Sequence, residues 1–171
     1  LALLSGAARS SAQSPVPDLT RGGTRDRSHD WTLGPTGARG WICGRDLETT
    51  DARQILVTKI DPGSPADLVL EAGDVIVGVD GAPFTRDARK AFGAAITQAE
   101  TSERRGLLDL LCWRDGTNRR VTLKLQVMGS YSDTSPEDCP KSKRILEQAC
   151  RHLAEHGLGD SIVGEINALG L

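Results

Sequence analysis

Side chains that do chemistry are scarce in this sequence of 171 residues. It has three histidines, His29, His152 and His156, and four cysteines, none of which form a CxxC pair. Hydrolytic catalysis usually needs an imidazole beside a nucleophile, and structural zinc sites usually need paired cysteines. His152 and His156 lie four residues apart, but HLAEH has its Glu before the second His and so lacks the HExxH order. GxSxG and GxxxxGK[ST] motifs are also absent. We therefore predict no catalytic residue, no metal site and no cofactor in this sequence, and leave open the activity of a longer protein.

An excess of charge and a long apolar run are also missing. Lys and Arg number 21 against 23 Asp and Glu, and the net charge of -2 gives no electrostatic reason to expect a nucleic-acid partner. After the first residues, no run approaches the roughly 18 to 20 apolar residues that a membrane span requires. A content of 38% hydrophobic and 26% charged residues is typical of a soluble globular protein with one core.

The N-terminal part has an apolar start and then, from Ser14 to Pro35, a stretch rich in Pro, Gly, Ser, Thr and charge with no apolar period. LALLSGAARSSAQS has an apolar run followed by small residues, with Ser10-Ser11-Ala12 as a cleavage site, and this pattern resembles the end of a secretory signal peptide. We expect residues 1–12 to be a truncated signal peptide, 13–30 to be a linker, and the protein to be exported to the periplasm or the medium. The alternative is an Ala-rich terminus of a cytosolic protein.

The four cysteines are scattered through the chain. Export would permit a disulfide, and Cys43 with Cys112 is the favoured pair because both lie in apparent strands. Without export, buried thiols are the first interpretation, and the spacing leaves the disulfide status of all four open, namely Cys43, Cys112, Cys139 and Cys150.

The central sequence predicts a compact mixture of strands and helices. ILVTKI, residues 55–60, is β-branched and short, so it predicts a strand. Ser64-Pro65 can start a short helix over Ala66 to Leu70. DVIVGVDG predicts a second strand that ends in an Asp-Gly turn. Residues 84–99 change to helical spacing, with an apolar stripe formed by Phe84, Ala88, Ala91, Phe92, Ala95 and Ile96.

The last third predicts a hairpin followed by helices. LLDLLCWR and RRVTLKLQV flank Asp115-Gly116. The alternation of apolar and polar residues in the second run predicts a strand with one buried and one solvent-exposed face. Pro140 can start, and Gly157 can end, an amphipathic helix with Ile145, Leu146, Ala149, Cys150 and Leu153 on its apolar side. A further helix is predicted after Asp160.

The order of these elements resembles a bacterial PDZ domain. ILVTKIDPGSPADLVLEAGDVIVGVDGAPF carries the resemblance, and WRDG with the alternating strand after it is similar to the closing hairpin of PDZ domains in HtrA-type proteases. The resemblance covers residues 31–127 and implies an α+β fold, a small, partly open β-barrel or sandwich of five to six strands with one short and one long helix. Residues 128–171 are expected to begin a helical region, which is similar to a combination found in large exported bacterial proteins.

The resemblance implies that the protein binds an extended peptide, C-terminal or internal, by strand addition between the strand at 40–44 and the helix at 86–99. PDZ domains carry an apolar-Gly-apolar loop for the peptide carboxylate. Arg39-Gly40-Trp41 is the corresponding segment, in which Arg39 replaces the apolar residue and its guanidinium can itself pair with a carboxylate. The predicted peptide-binding residues are Arg39, Gly40, Trp41, Ile42, Cys43, Gly44, Ala88, Ala91 and Ala95.

Two other interpretations remain open. One is a regulatory PDZ domain of a larger enzyme whose catalytic part lies outside this sequence. The other is a structural spacer whose groove is closed by the lead-in or by contact with its own helical region; Trp41 and Ile42 would then be core residues, and the helix alanines would serve close packing. Peptide binding requires that the strand edge from Trp41 to Gly44 is open. If another segment of the same chain occupies that edge, the structural spacer is favoured.

Overall fold

The computed structural model describes residues 17–19, 30–42 and 53–157. In chain order its strands are β1 (Asp30–Thr32), β2 (Ala38–Trp41), β3 (Ile55–Ile60), β4 (Val75–Val79), β5 (Ala82–Pro83), β6 (Leu107–Arg114) and β7 (Thr117–Lys124). The helices are α1 (Ala88–Ala99) and α2 (Pro140–His156), and a 3₁₀ turn spans Gly34–Thr36. The described residues up to Ile96 form one compact unit with Leu107–Leu125, and Thr97–Gly106 forms a second unit with those from Gln126 onward.

The first unit is built on one antiparallel sheet. Its strand order is β1-β2-β3-β4-β6-β7, and β5 pairs with β4 beside this path. The expected α+β fold is confirmed, and it is consistent with a PDZ domain. Ile55–Ile60 and Leu107–Arg114 form strands over the predicted residues, because short β-branched and leucine-rich runs fit a pleated, half-buried surface. The short strands β1 and β5 were not predicted.

The β6–β7 hairpin is the longest ladder of the sheet. It pairs eight residues of each strand, from Leu107 opposite Lys124 to Arg114 opposite Thr117. The connecting residues Asp115 and Gly116 both have positive φ angles, 49° and 83°, which a two-residue turn between twisted strands requires. The hairpin predicted from the Asp-Gly signal is therefore confirmed.

The predicted short helix at Ala66 to Leu70 does not form. The segment is a series of turns with a single i→i+4 hydrogen bond, from the Leu70 N–H to the Ala66 carbonyl at 2.9 Å. Leu68 has a φ of 62°, in the left-handed region, and a residue in that conformation prevents the helix from continuing. Capping signals at Ser64-Pro65 thus start one turn, and Leu68 ends it.

A buried ion pair holds the turn end of the hairpin. The Asp74 side chain is 1% exposed, and its carboxylate accepts hydrogen bonds from the Arg114 guanidinium and, at 2.9 Å, from the Glu71 N–H. The Asp74 hydrogen bond, followed by its charge and that of Glu71, raises the pKa of Arg114 against the opposing effect of its own burial. Asp74 is therefore a structural anion that joins the turn before β4 to the end of β6.

The second unit is organised around the start of α2. Lys141 is buried, its Nζ lies 2.6 Å from Glu100 Oε2, and it sits 4.6 Å from the centroid of the Tyr131 ring. The Met128 and Gly129 N–H groups both donate to the Glu100 carbonyl at 2.9 Å. The helix predicted between Pro140 and Gly157 is present, whereas the one predicted after Asp160 lies outside the described residues.

The described cysteines are free thiols, namely Cys112, Cys139 and Cys150. Cys112 is therefore not in a disulfide, which favours buried thiols over the Cys43–Cys112 pairing, and Cys43 itself lies outside the described residues. Burial raises the pKa of Cys112 to about 12, which keeps the thiol protonated. Neither described helix has an apolar stretch long enough to cross a membrane.

Candidate peptide-binding groove

A cavity of about 410 Å³ lies along one side of α1. One wall is formed by the chain from Trp31 to Pro35, which is the end of β1 and the start of the 3₁₀ turn. The opposite wall is a stripe of α1 made by Arg89, Phe92, Gly93 and Ile96, and Ile42 and Ile55 complete the lining. An extended chain segment with a helix facing it across an apolar cavity is the arrangement that accepts an added strand.

Strand β1 covers the edge at which peptide addition was predicted. It pairs with β2 in antiparallel register, with Asp30 opposite Trp41 and Trp31 opposite Gly40. The Leu33 N–H then donates to the Ala38 carbonyl at 2.9 Å. Because β3 pairs with the other side of β2, the predicted open edge is occupied at residues 38–41. The rest of that predicted edge, Cys43 and Gly44, lies outside the described residues.

Asp30 fastens β1 to the sheet through its side chain. The Arg39 Nε donates to Asp30 Oδ2 at 3.1 Å, and Arg39 Nη2 donates to the Asp30 carbonyl at 2.8 Å. The Thr58 hydroxyl donates to Asp30 Oδ1 at 2.6 Å. Arg39 does pair with a carboxylate, as its charge predicted, but that carboxylate belongs to the same chain.

Trp31 connects β1 to the helix across the cavity. The Arg89 guanidinium carbon lies 5.8 Å from the centroid of the Trp31 ring, which is the distance of a cation–π contact. Arg89 is held at the helix start by Asp87, whose Oδ1 accepts the Arg89 backbone N–H at 2.9 Å. Asp87 thereby satisfies one of the orphan donors at the N-terminus of α1.

Gly40 is needed for packing at this site. A Cβ built there would lie 2.5 Å from Ile55 Cγ2 and 3.0 Å from Leu33 Cδ1. The glycine therefore lets the Leu33 side chain lie directly over β2, where Leu33 is only 5% exposed. Trp31 of β1 lies opposite Gly40, and the role of Gly40 as a donor to a peptide carboxylate stays a prediction.

Most of the other predicted site residues lie in the core. Trp41 is 2% exposed and packs with Leu56 and Val75 on one face of the sheet. The three helix alanines are also buried, and the lining of the cavity comes from other positions of the helix. Their contact with a bound peptide stays a prediction. Of the nine predicted residues, Ile42 lines the cavity. The residues buried in the core without lining the cavity are Trp41, Ala88, Ala91 and Ala95.

The sequence did not predict that β1 and the turn after it form a wall of the groove. Leu33-Gly34-Pro35 fits the apolar-Gly-apolar pattern better than Arg39-Gly40-Trp41, because its first residue is apolar. Gly34 and Gly37 adopt left-handed φ angles of 60° and 71°, which glycine tolerates without strain. Those two glycines around a proline were the available signal for a tight loop beside the groove.

The described residues contain no group of three or more His, Cys, Asp or Glu side chains placed to hold a metal ion. Asp80, with a φ of 50°, lies in the turn between β4 and β5, and Asp74 is engaged by Arg114. No curated protein matches the chain. Residues 34–101, from the 3₁₀ turn to the residues just after α1, match the family model of the PDZ domain, which is a protein- and peptide-binding module rather than a catalytic one.

Proposed function

We propose that this PDZ unit binds an extended segment of a partner protein in the groove along α1, by adding a strand to the edge that faces the helix. The observation that carries the proposal is the cavity between the Trp31–Pro35 segment and the α1 stripe. Phe92 and Ile96 offer apolar contacts to alternate side chains of a ligand, and the strand edge offers backbone hydrogen bonds. Affinity in the micromolar range is typical of what one added strand and one pocket provide, corresponding to about 8 kcal/mol at 1 μM.

The backbone of β1 has donors and acceptors directed away from β2. Residues in an antiparallel pair alternate between facing the partner and facing away from it. Since the Leu33 N–H bonds to Ala38, the N–H and C=O of Thr32 face the opposite side. Within the described residues, β1 is also the last strand on this side of the sheet. A ligand therefore has two routes to the groove: pairing with the outer edge of β1, or replacing β1 on β2.

A paired substitution on α1 tests the proposal. Gly93 lines the groove, and a Cβ there would meet nothing within 4 Å, so Gly93→Trp should fill the cavity without straining the helix. Ala94 is the next residue, is exposed and does not line the cavity, so Ala94→Trp is the matched control. Peptides selected by display of a random library against the full chain should bind Gly93→Trp at least tenfold more weakly and Ala94→Trp normally. Equal binding by both variants, or no enriched peptide at all, would contradict the proposal.

A closed-groove scaffold is the second candidate, because β1 already occupies the edge of β2. In that case the sheet has a structural role, and neither the wild type nor a variant with weakened β1 contacts should enrich any peptide. The two candidates therefore differ in the outcome of one selection, performed on both proteins.

We also propose that the unit belongs to an exported protein, with residues 1–12 as the end of a signal peptide, residues 31–127 as the binding unit and residues 128–171 as the beginning of a helical region. The sequence LALLSGAARSSAQS supports export. Mass spectrometry of the mature protein from the native cell envelope or medium tests this. A mature N-terminus near Ala12 is expected, and an intact terminus in the cytosolic fraction would contradict it.

A further inference from the structure

We infer that β1 and Leu33 act as an internal ligand of the groove, and that the partner is an extended segment with the pattern acidic-aromatic-any-aliphatic, which replaces them on β2. The inference rests on the proposed function and names the ligand class for the same groove. It follows from four features of the segment from Asp30 to Leu33: its direction, the space that the Leu33 side chain fills, the partners of Asp30, and the contact of Trp31 with Arg89.

The direction of β1 is that of a strand added to an edge. It runs antiparallel to β2, and its register places three consecutive residues opposite Arg39 to Trp41. It also passes beside the helix, since Trp31 lies against Arg89 near the start of α1, while Ile96 Cδ1 lies 3.7 Å from the Cβ position of Gly34. The internal segment therefore follows the length of α1, between that helix and β2.

Leu33 identifies an aliphatic subsite. Its side chain is buried over Gly40 and Ile55, beside the cavity that Phe92 and Ile96 line. This depression exists because residue 40 has no side chain. A ligand residue that replaces Leu33 must be apolar and branched to refill the space, since a polar group there would lose its hydrogen bonds to water.

Asp30 identifies an acidic subsite three residues before the aliphatic one. Its carboxylate is satisfied by Arg39 and Thr58, which project from β2 and β3. If β1 leaves, these two side chains present a guanidinium and a hydroxyl to the emptied position. A carboxylate of a partner can accept the same hydrogen bonds.

Trp31 identifies an aromatic subsite between the other two. The residue is 38% exposed, and its ring faces the Arg89 guanidinium. Partial exposure makes this the least specific of the three positions, and Tyr or Phe on a partner can form the same cation–π contact.

Competition between a ligand and β1 sets the measured affinity. When the binding-competent state is a fraction of the population, the apparent dissociation constant is the intrinsic one divided by that fraction. Weakening β1 should therefore tighten the binding of a matching peptide in trans, without any change to the wall that α1 forms.

The test uses the full chain in three forms: wild type, Asp30→Asn with Trp31→Ala, and Asp61→Asn as the matched control. Asp61 is an exposed carboxylate whose Oδ1 accepts from Lys59 at 2.8 Å, outside the groove. The probe is the synthetic peptide Ser-His-Asp-Trp-Thr-Leu, with a free or an amidated C-terminus, measured by fluorescence anisotropy. We expect the double variant to bind the probe at least tenfold more tightly than the wild type and Asp61→Asn, and a probe with Leu replaced by Asp to bind at least tenfold more weakly than the original.

Two results would overturn the inference: equal affinity of the three proteins for the probe, or tight binding by the Leu-to-Asp probe. A library selection on the same proteins separates this failure from that of the proposed function. Peptides of another pattern that bind the wild type and are blocked by Gly93→Trp would leave the proposed function standing and refute the internal ligand. Absence of enrichment on the double variant as well as the wild type would refute both. Trp31→Ala alone, with Trp31 already partly exposed, serves as the milder variant if the double variant is poorly folded.

Discussion

The two ends of the sheet differ in how they are held. The β6–β7 hairpin at one end has eight residue pairs, and its inward side chains Leu108, Leu110, Cys112 and Leu123 are almost fully buried. Strand β1 at the other end has three pairs, two exposed residues out of three, and a few side-chain contacts. Burial of apolar area is the main source of folding stability, so the hairpin should define the fold while β1 can be exchanged at little cost.

The largest effect is expected at Arg114, at the turn end of the hairpin. Arg114→Met should lower the free energy of unfolding by about 3 kcal/mol, because it leaves the Asp74 carboxylate buried with its main partner gone. Arg120→Met, an exposed position on β7, is the control and should change stability by about 0.5 kcal/mol or less. Urea unfolding of both variants provides the measurement. A similar loss for the two variants would show that the ion pair does not fix the hairpin.

A smaller effect is expected where Leu33 crosses β2. Gly40→Ala should cost about 1 to 3 kcal/mol, since its methyl group would lie 2.5 Å from Ile55 Cγ2 in an already filled space. Gly93→Ala has the opposite sign, a gain of about 0.5 to 1 kcal/mol, because its methyl group meets nothing and alanine favours a helix. Thermal unfolding of both variants checks the signs. A neutral Gly40→Ala would mean that Leu33 does not pack over β2.

Removing one anchor of β1 should have a smaller and local effect. Asp30→Asn should lower global stability by about 1 kcal/mol or less, the usual contribution of a partly exposed ion pair. Amide hydrogen exchange should then become faster at Trp31 and remain unchanged at Leu110 in the hairpin, because only β1 opens. Equal acceleration at both amides would refute the separation between the two ends of the sheet.

The last comparison concerns the protonation of two thiols, one in each unit. Cys112 of β6 has its pKa raised to about 12 by burial, whereas hydrogen bonds, first from the Ser142 side chain and then from backbone groups, lower the pKa of Cys139 at the start of α2 to about 6. A thiolate absorbance difference at 240 nm between the wild type and Cys139→Ser should therefore appear near pH 6. Relative to that variant, the wild type should gain stability as pH rises from 6 to 9, since the folded-state pKa lies below the unfolded one. A midpoint of the thiolate titration near pH 9 would contradict this prediction.

The long elements of the fold could be predicted from the sequence. β3 and β6 were predicted over their observed residues, and α1 was predicted to begin two residues before its actual start at Ala88, because Asp87 caps it. These segments have clear apolar periods and strong turn signals. Leu68 shows the limit of local patterns, because its left-handed conformation stopped a helix that its neighbours favoured.

The candidate site could be predicted only in part. The sequence identified the helix and the region before β3. The residues of α1 that line the groove, however, lie next to the predicted alanines on the helix surface. Neighbouring residues of a helix are rotated by about 100°, and the apolar periodicity did not show which of the two stripes faces the groove. β1 is three residues long and is held by Asp30 and Trp31, whose contacts are made with residues 9 to 58 positions away. Such long-range side-chain contacts leave no local pattern.

The most direct test of the account is amide exchange of the wild-type chain during titration with the Ser-His-Asp-Trp-Thr-Leu peptide. If the peptide replaces β1, exchange at Trp31 should become faster as the site saturates, while Gly40 and the hairpin amides stay protected, because the incoming strand restores the hydrogen bonds of β2. If the Trp31 amide is as protected from exchange at saturating peptide as it is without peptide, or more protected, the peptide pairs with the outer edge of β1. That result would contradict the internal-ligand account.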